Sequence, residues 1–250
     1  MSRTWSDTGH YLAMETSGPV GSVAVSVGSE VLARRFLRVQ GAHASHLIPE
    51  IEGLLADASV RLQDLDGILV GAGPGSFTGV RVAAATAKGL ARALSVPLWA
   101  FSSLAGGAAS LGLSWIPGAE GPRVSLTEEE RAWPRYVLVD ARGNRVYAAC
   151  YLESKNVMDT LVEPNATTID EILSGDVPYS VFCGDGANRH ADQIRGAGFP
   201  VLPSPLGAPL ADGLVRMLSL APATSSLENP SVWEPSYLRA TGAERMARGG

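Results

Sequence analysis

Apolar positions recur along this chain at two spacings, about two residues and 3.6 residues, and the alternation between them predicts its elements. Tyr11-Leu12-Ala13-Met14-Glu15-Thr16-Ser17 reads as a strand ending in a polar turn. Val20 to Val27 alternates apolar with small or polar residues, as a half-buried strand does. Gly28-Ser29-Glu30 is a hairpin turn, and Val31 to Val39 returns antiparallel to the second strand. From Ala44 to Ala58 the spacing becomes helical, with Leu47, Ile51, Leu54, Leu55 and Ala58 on one stripe. Pro49 is assigned near the first turn, where a missing N–H costs least. Gly67-Ile68-Leu69-Val70 is a short buried strand.

A glycine-dense turn follows, Gly71-Ala72-Gly73-Pro74-Gly75-Ser76-Phe77-Thr78-Gly79-Val80-Arg81, and then a proline-free run that predicts a helix to about Leu94. Ser76 or Thr78 can cap its first turn. Val80, Ala83, Ala84, Ala87, Leu90, Ala91 and Leu94 fall on one side. Thr78, Val82, Ala85, Gly89 and Ala93 fall nearly opposite, with Arg81, Lys88 and Arg92 as the polar stripe between. An ordinary surface helix has one apolar face. This one has two, the second built mostly of small residues that let another helix approach closely. That second helix belongs to this chain or to a partner, and the pattern alone leaves both open.

The remainder predicts a strand at Val96–Phe101 and a Ser102-Ser103-capped helix from Leu104 to about Leu111. Residues 113–134 break the pattern and read as a surface insertion, with one helical turn at Thr127 to Arg131. A second block repeats the order of strands followed by helices. Its strands are Arg135–Asp140, Arg145–Glu153, Val157–Glu163 and Tyr179–Cys183, and its helices Ile169–Leu173 and Asn188–Arg195. Pro209 to Ala221 is a helix with Pro209 at its first position, and Ala240 to Gly250 reads as disordered. The duplication suits a two-lobed α/β fold. One lobe spans 10–103 and is completed by the helix at 207–221, the other spans 104–206, and 222–250 is a tail.

Composition narrows the functional classes. The 250 residues are 46% hydrophobic with a net charge of −5, which argues against a stand-alone nucleic-acid binder. Cys150 and Cys183 lie outside any C-x-x-C and read as buried strand thiols, a disulfide between them being the lesser alternative. The polar Met1 to His10 carries no signal-peptide pattern and no run reaches membrane-spanning length, so the expected location is the cytoplasm.

Candidate chemistry is sparse. The glycine turn is neither G-x-x-x-x-G-K-[ST] nor G-x-G-x-x-G, and the next Lys is Lys88. His43 and His46 are three apart, without a third ligand nearby, which favours a surface or interface role over a metal. Glu15, Asp140 and Asp185 are the carboxylates at strand ends, a position where solvated turn acids are the commoner finding. Ser76 lacks the G-x-S-x-G spacing of a nucleophile elbow.

Gly73-Pro74-Gly75-Ser76-Phe77-Thr78-Gly79-Val80-Arg81 resembles the hallmark segment of the TsaB (YeaZ) family. Three further segments agree in order: Glu15-Thr16-Ser17, Asp140-Ala141-Arg142 with Val146-Tyr147, and Pro235-Ser236-Tyr237-Leu238-Arg239. Two departures stand out, since the family's first turn usually has Asp where this chain has Glu15, and its hairpin commonly has Glu or Gln where this chain has Arg145. The resemblance implies an actin-like ATPase fold with duplicated mixed-sheet lobes and a non-catalytic role in forming threonylcarbamoyladenosine on tRNA. It implies docking to a catalytic TsaD-like subunit through first-lobe helices, with a TsaE-like ATPase joining them. His46, Thr78, Arg81, Val82, Ala85, Gly89 and Ala93 are the expected partner-binding residues. Glu15, Thr16, Ser17 and Asp140 are a candidate vestigial nucleotide site. No cofactor is expected in this chain, ATP and metal being left to the partners. A homodimer is expected when the chain is alone, with tRNA met only through the complex. The alternative is an independent actin-like ATPase or kinase, or a glycoprotease-like metallopeptidase.

Overall fold

The computed structural model describes residues 4–37, 43–111, 132–155, 157–221, 223–236 and 238. The helical turn expected at 127–131, most of the 113–134 insertion, the last residues of the third strand, Tyr237, Arg239 and the 240–250 tail lie outside them.

Five strands form the first sheet: β1 (His10–Glu15), β2 (Gly21–Val27), β3 (Glu30–Leu37), β4 (Gly67–Gly71) and β5 (Leu98–Phe101). Their order is β3-β2-β1-β4-β5. The hairpin β2–β3 and the pair β1–β2 are antiparallel, whereas β4 and β5 join in parallel through helical crossovers. The second sheet holds β6 (Arg135–Asp140), β7 (Val146–Ser154), β8 (Val157–Thr167) and β9 (Val181–Cys183), in the order β8-β7-β6-β9. It repeats the antiparallel pairs and the parallel fourth strand.

Helices fill the layers on both sides of each sheet. On the outer face of the first sheet, α1 (His43–Asp57) and α2 (Phe77–Leu94) bury Leu47, Ile51, Leu54, Ala83, Ala87 and Ala91 against Leu12, Met14, Val25, Ile68 and Val70. Between the sheets lie α3 (Ser103–Ser110) and α7 (Ala211–Leu220), packed on Ala13, Ala24 and Leu69 from one sheet and Val137, Val139 and Ala149 from the other. Outside the second sheet lie α4 (Ile169–Ser174), α5 (Asp185–Arg189) and α6 (Ala191–Gly196), around Tyr136, Leu138, Phe182 and Ile194. This duplicated arrangement of mixed sheets and helical layers is the actin-like ATPase fold.

The sequence of α3, Ser-Leu-Ala-Gly-Gly-Ala-Ala-Ser, is buried on every side, so it contains nothing large except Leu104. Small side chains let α7 come very near. A Cβ on Gly213 would overlap the Gly106 carbonyl, so glycine is required at that crossing. Two charged groups fix α7 in place. Arg34 of β3 pairs with Asp212 in its first turn. Glu153 of β7 receives Arg135 at 2.6 Å and Arg216 of α7 at 2.5 Å.

Three expectations are corrected. The last helix begins at Ala211 and not at Pro209, because the Ser22 hydroxyl of β2 accepts the Ala211 N–H (2.8 Å) and caps it from a distant strand. The helix expected over 188–195 is two short ones broken at His190, where Asn188 donates to the Gly184 and Leu202 carbonyls. Pro49 is the seventh residue of α1, so it lies in the second turn, with its ring exposed. The cysteines are buried strand thiols as expected, and register excludes the lesser alternative of a disulfide: Cys150 faces Tyr136 across β7–β6 and Cys183 faces Val137 across β9–β6. Neighbours on a strand point to opposite faces. The two thiols therefore sit on opposite sides of the sheet, buried and free.

Candidate functional site

The glycine-dense turn is clamped from three directions. Below it, the turn after β1 is fully buried: Glu15 and Thr16 are 0% exposed. The Thr16 hydroxyl donates to the Gly79 carbonyl at 2.6 Å, and Ser76 N–H donates to the Ser17 carbonyl at 2.7 Å. At its side, the Ser103 hydroxyl at the start of α3 accepts the Gly73 N–H (3.0 Å), and the Gly73 carbonyl accepts the Ser103 N–H (2.9 Å). Above it, Ser236 N–H donates to the Ala72 carbonyl at 2.8 Å. Each glycine marks a close approach. A Cβ at Gly71 would overlap the Glu15 carboxylate, one at Gly79 the Thr16 carbonyl, and one at Gly75 would lie 2.5 Å from the Ser17 oxygen. Gly73 has φ +82°. The turn thus spends its backbone on internal contacts.

Glu15 is not a solvated turn acid. One carboxylate oxygen accepts Ser17 N–H at 2.7 Å, and the other has no hydrogen-bond partner. Burial pushes the Glu15 carboxyl above its ordinary range, and the nearby Ser103 hydroxyl and the Ser17 N–H only partly offset that. Thr16 and Ser17 are buried with it. Asp140 lies apart on the second sheet, where its Oδ1 accepts Arg142 N–H at 2.9 Å and Arg189 Nη1 at 2.7 Å. Asp185 is beside it: its Oδ1 accepts the Asp140 N–H at 3.4 Å, and burial raises its carboxyl. Among the described residues, no three His, Cys, Asp or Glu side chains converge as a metal site. No helix among them is long and apolar enough to cross a membrane.

Above this buried base, α2 begins at Phe77 with Ser76 as its cap, the Ser76 hydroxyl accepting Gly79 N–H at 3.3 Å. Its buried side is Gly79, Val80, Ala83, Ala84, Ala87 and Ala91, with Leu90 and Leu94 half-buried. The opposite face is open: Thr78, Arg81, Ala85, Gly89 and Ala93 are exposed and Val82 half-buried. A Cβ at Gly89 would meet nothing within 4 Å. Beside it, α1 exposes His46, Ile48 and Glu52. The seven expected partner-binding residues are therefore drawn from two neighbouring helices, six of them exposed and one half-buried. Charge divides between the helices. α2 contains Arg81, Lys88 and Arg92 and no acid, while α1 contains Glu50, Glu52 and Asp57 and no Lys or Arg. Glu50 and Asp57 are held by Arg35 of β3. Arg81 stacks over the exposed Phe77 ring at 4.0 Å.

Sequence reasoning missed one element here, the extended segment after α7. Leu227 N–H donates to the Leu98 carbonyl of β5 at 2.8 Å, and Ser231 and Trp233 lie against Lys88 of α2 before Ser236 reaches the glycine turn. The local signals were Trp233 and the Pro235-Ser236 start of the C-terminal motif, in a Pro- and Ser-rich stretch without helical or strand period.

Comparison with known proteins gives the same neighbourhood. Residues 37–188 match the family model of TsaD, tRNA N6-adenosine threonylcarbamoyltransferase. The tRNA threonylcarbamoyladenosine biosynthesis protein TsaB of Bacillus subtilis is 30% identical over 189 residues, 74% of each chain. An uncharacterized protein of Mycobacterium tuberculosis is 29% identical over 239 residues, 94% of each chain. The solved structure of YeaZ from Pseudomonas aeruginosa superposes with a TM-score of 0.71 at 26% identity, covering 92% of this chain and 100% of that one. With its glycine-turn motif, its duplicated fold and this likeness along most of its length, the chain belongs to the TsaB (YeaZ) family, within the wider group described by the TsaD model.

Proposed function

We propose that this chain is a non-catalytic partner subunit in threonylcarbamoyladenosine formation on tRNA. It binds and activates a TsaD-type threonylcarbamoyltransferase through the exposed faces of α1 and α2. One observation carries the reading: α2 exposes a face of small residues whose cations have no acid on their own helix, beside an α1 that exposes Glu52, its Glu50 and Asp57 being held by Arg35. Such a pair is complementary to another helix pair built the same way, α1 of one molecule lying near α2 of the other. The matched TsaD region, 37–188, includes both helices, so a TsaD-type subunit is expected to present an equivalent pair. The same complementarity supports a homodimer when the chain is alone. Close helix approach over Ala85 and Gly89 supplies packing, and the charged rims supply orientation and rate of encounter.

The first turn supports a role without chemistry of its own. A carboxylate sealed under glycine backbone has no open side for a phosphate or a hydrated metal ion. Glu15, Thr16 and Ser17 are read as a vestigial nucleotide turn that now braces α2, and Asp140 as its counterpart on the second sheet. ATP and metal then belong to the partners, a TsaD-type enzyme and a TsaE-type ATPase. tRNA is met through the assembly, in the cytoplasm.

The test is association. Ala85→Trp places a bulky side chain on the exposed face of α2 without touching its buried face. The variant is expected to fold normally and to lose association with a TsaD-type protein in a pull-down. Normal association of Ala85→Trp would overturn the docking face. Titration of the isolated chain with Mg-ATP is expected to give no heat, and tight binding would revive the ATPase or kinase alternative.

A further inference from the structure

The segment Leu227–Ser236 is stapled at both ends and crosses α2 between them. Its first residue is bonded to the edge strand β5 through the Leu98 carbonyl, and its last to the Ala72 carbonyl of the glycine turn. Midway, the Lys88 ammonium donates to the Ser231 carbonyl at 3.4 Å and stands 5.6 Å from the Trp233 ring centroid. Trp233 and Leu227 pack on the core beneath α2. A strap held in this way keeps its crest in one place. The residue on that crest is Val232, 73% exposed and the most exposed large hydrophobic side chain among the described residues. An isolated surface valine needs no explanation. This one stands on a fixed ridge between two residues that contact Lys88, and Lys88 is one helical turn from Ala85 on the open face of α2.

We infer that the docking surface is composite: the strap is its third wall, and Val232 is an apolar anchor for the same TsaD-type partner. The inference rests on the docking reading above. The ridge lies beside the cationic stripe of α2, where Arg81, Lys88 and Arg92 follow one another with no acid in the helix. Lys88 is taken up by the strap, so the partner segment seated there presents a carboxylate to the exposed Arg92 and an apolar side chain to Val232. The strap is tied to β5, α2 and the glycine turn in the free chain, which lowers the ordering cost that falls on binding. Trp233 serves as a positioning residue, its ring holding the crest through the core and through Lys88.

Two variants separate this inference from the reading on which it rests. Val232→Asp changes an exposed side chain and brings a carboxylate where the partner is acidic, and Ala85→Trp blocks the open face of α2 itself. Both are titrated against a TsaD-type protein by calorimetry, with circular dichroism and the thermal midpoint reporting the fold. The expected result is an unchanged fold, about a tenfold weaker Kd for Val232→Asp, and no measurable binding for Ala85→Trp. A Kd within twofold of the parent for Val232→Asp, with Ala85→Trp still abolishing binding, would overturn the strap wall and leave the α1/α2 face standing. Normal binding by both variants would overturn both.

Discussion

The Thr16 hydroxyl donates a 2.6 Å hydrogen bond to the carbonyl of Gly79, tying the turn after the first strand to the first turn of α2. Both ends are buried, so neither has water as an alternative partner. Thr16→Val keeps the shape and removes the donor. The expected loss is about 1 kcal/mol, read as a lower urea midpoint with an unchanged denaturant slope.

Two glycines of the same helix respond in opposite directions to one substitution. At Gly79 an added methyl overlaps the Thr16 carbonyl, a backbone atom that cannot swing away. Gly79→Ala is expected to cost about 3 kcal/mol despite better helix propensity. At Gly89 the methyl meets open space. Gly89→Ala is expected to stabilise the isolated chain by about 0.5–1 kcal/mol. Thermal unfolding of the two variants side by side checks the contrast.

Glu15 makes stability depend on pH. Burial raises its carboxyl above the ordinary range, so between the unfolded and folded values the native state holds the extra proton. Its contribution is complete below the unfolded value and is lost as pH rises through the folded one. Glu15→Gln keeps the amide-like shape without the charge. The variant is expected to be more stable than the parent above that window and to lack the falling limb. Denaturant midpoints across a pH series measure it.

Glu153 has the opposite sign. Burial alone would raise it, but Arg135 and Arg216 outweigh burial and hold the carboxyl below its ordinary value. Its stabilisation is present above the unfolded value and is lost as pH falls through the folded one. Glu153→Gln leaves the buried Arg135 guanidinium, 3% exposed, facing a neutral amide. The expected cost is about 3–5 kcal/mol at neutral pH, with the acid-side slope reduced.

The thiols are expected to stay apart. Cys183 is pushed up to about 12 and Cys150 is raised, both by burial. Labelling of the native chain by a thiol reagent should be slow at both positions and fast after unfolding. Added reductant should leave the thermal midpoint unchanged.

Sequence by itself determined the elements wherever the apolar period was unbroken. The residues of β6 and the buried stripe of α2 stand as the pattern predicts, because a strand covered on both faces requires a continuous apolar run and a helix covered on one face requires an apolar stripe. The motif of the glycine turn was equally legible, since glycines at such spacing are required by close backbone approach. Tertiary structure decided what no local pattern encodes. The start of α7 is capped by Ser22, 189 residues away. Glu15 looks like a solvated turn acid until the glycine turn closes over it, and the two cysteines look equivalent until strand pairing sends them to opposite faces. The second face of α2 was visible as a pattern, but whether it was covered depended on where α1, the sheet and the strap came to rest. Periodicity records which side of an element avoids water, whereas the identity of its neighbour is set by contacts between residues far apart in the chain.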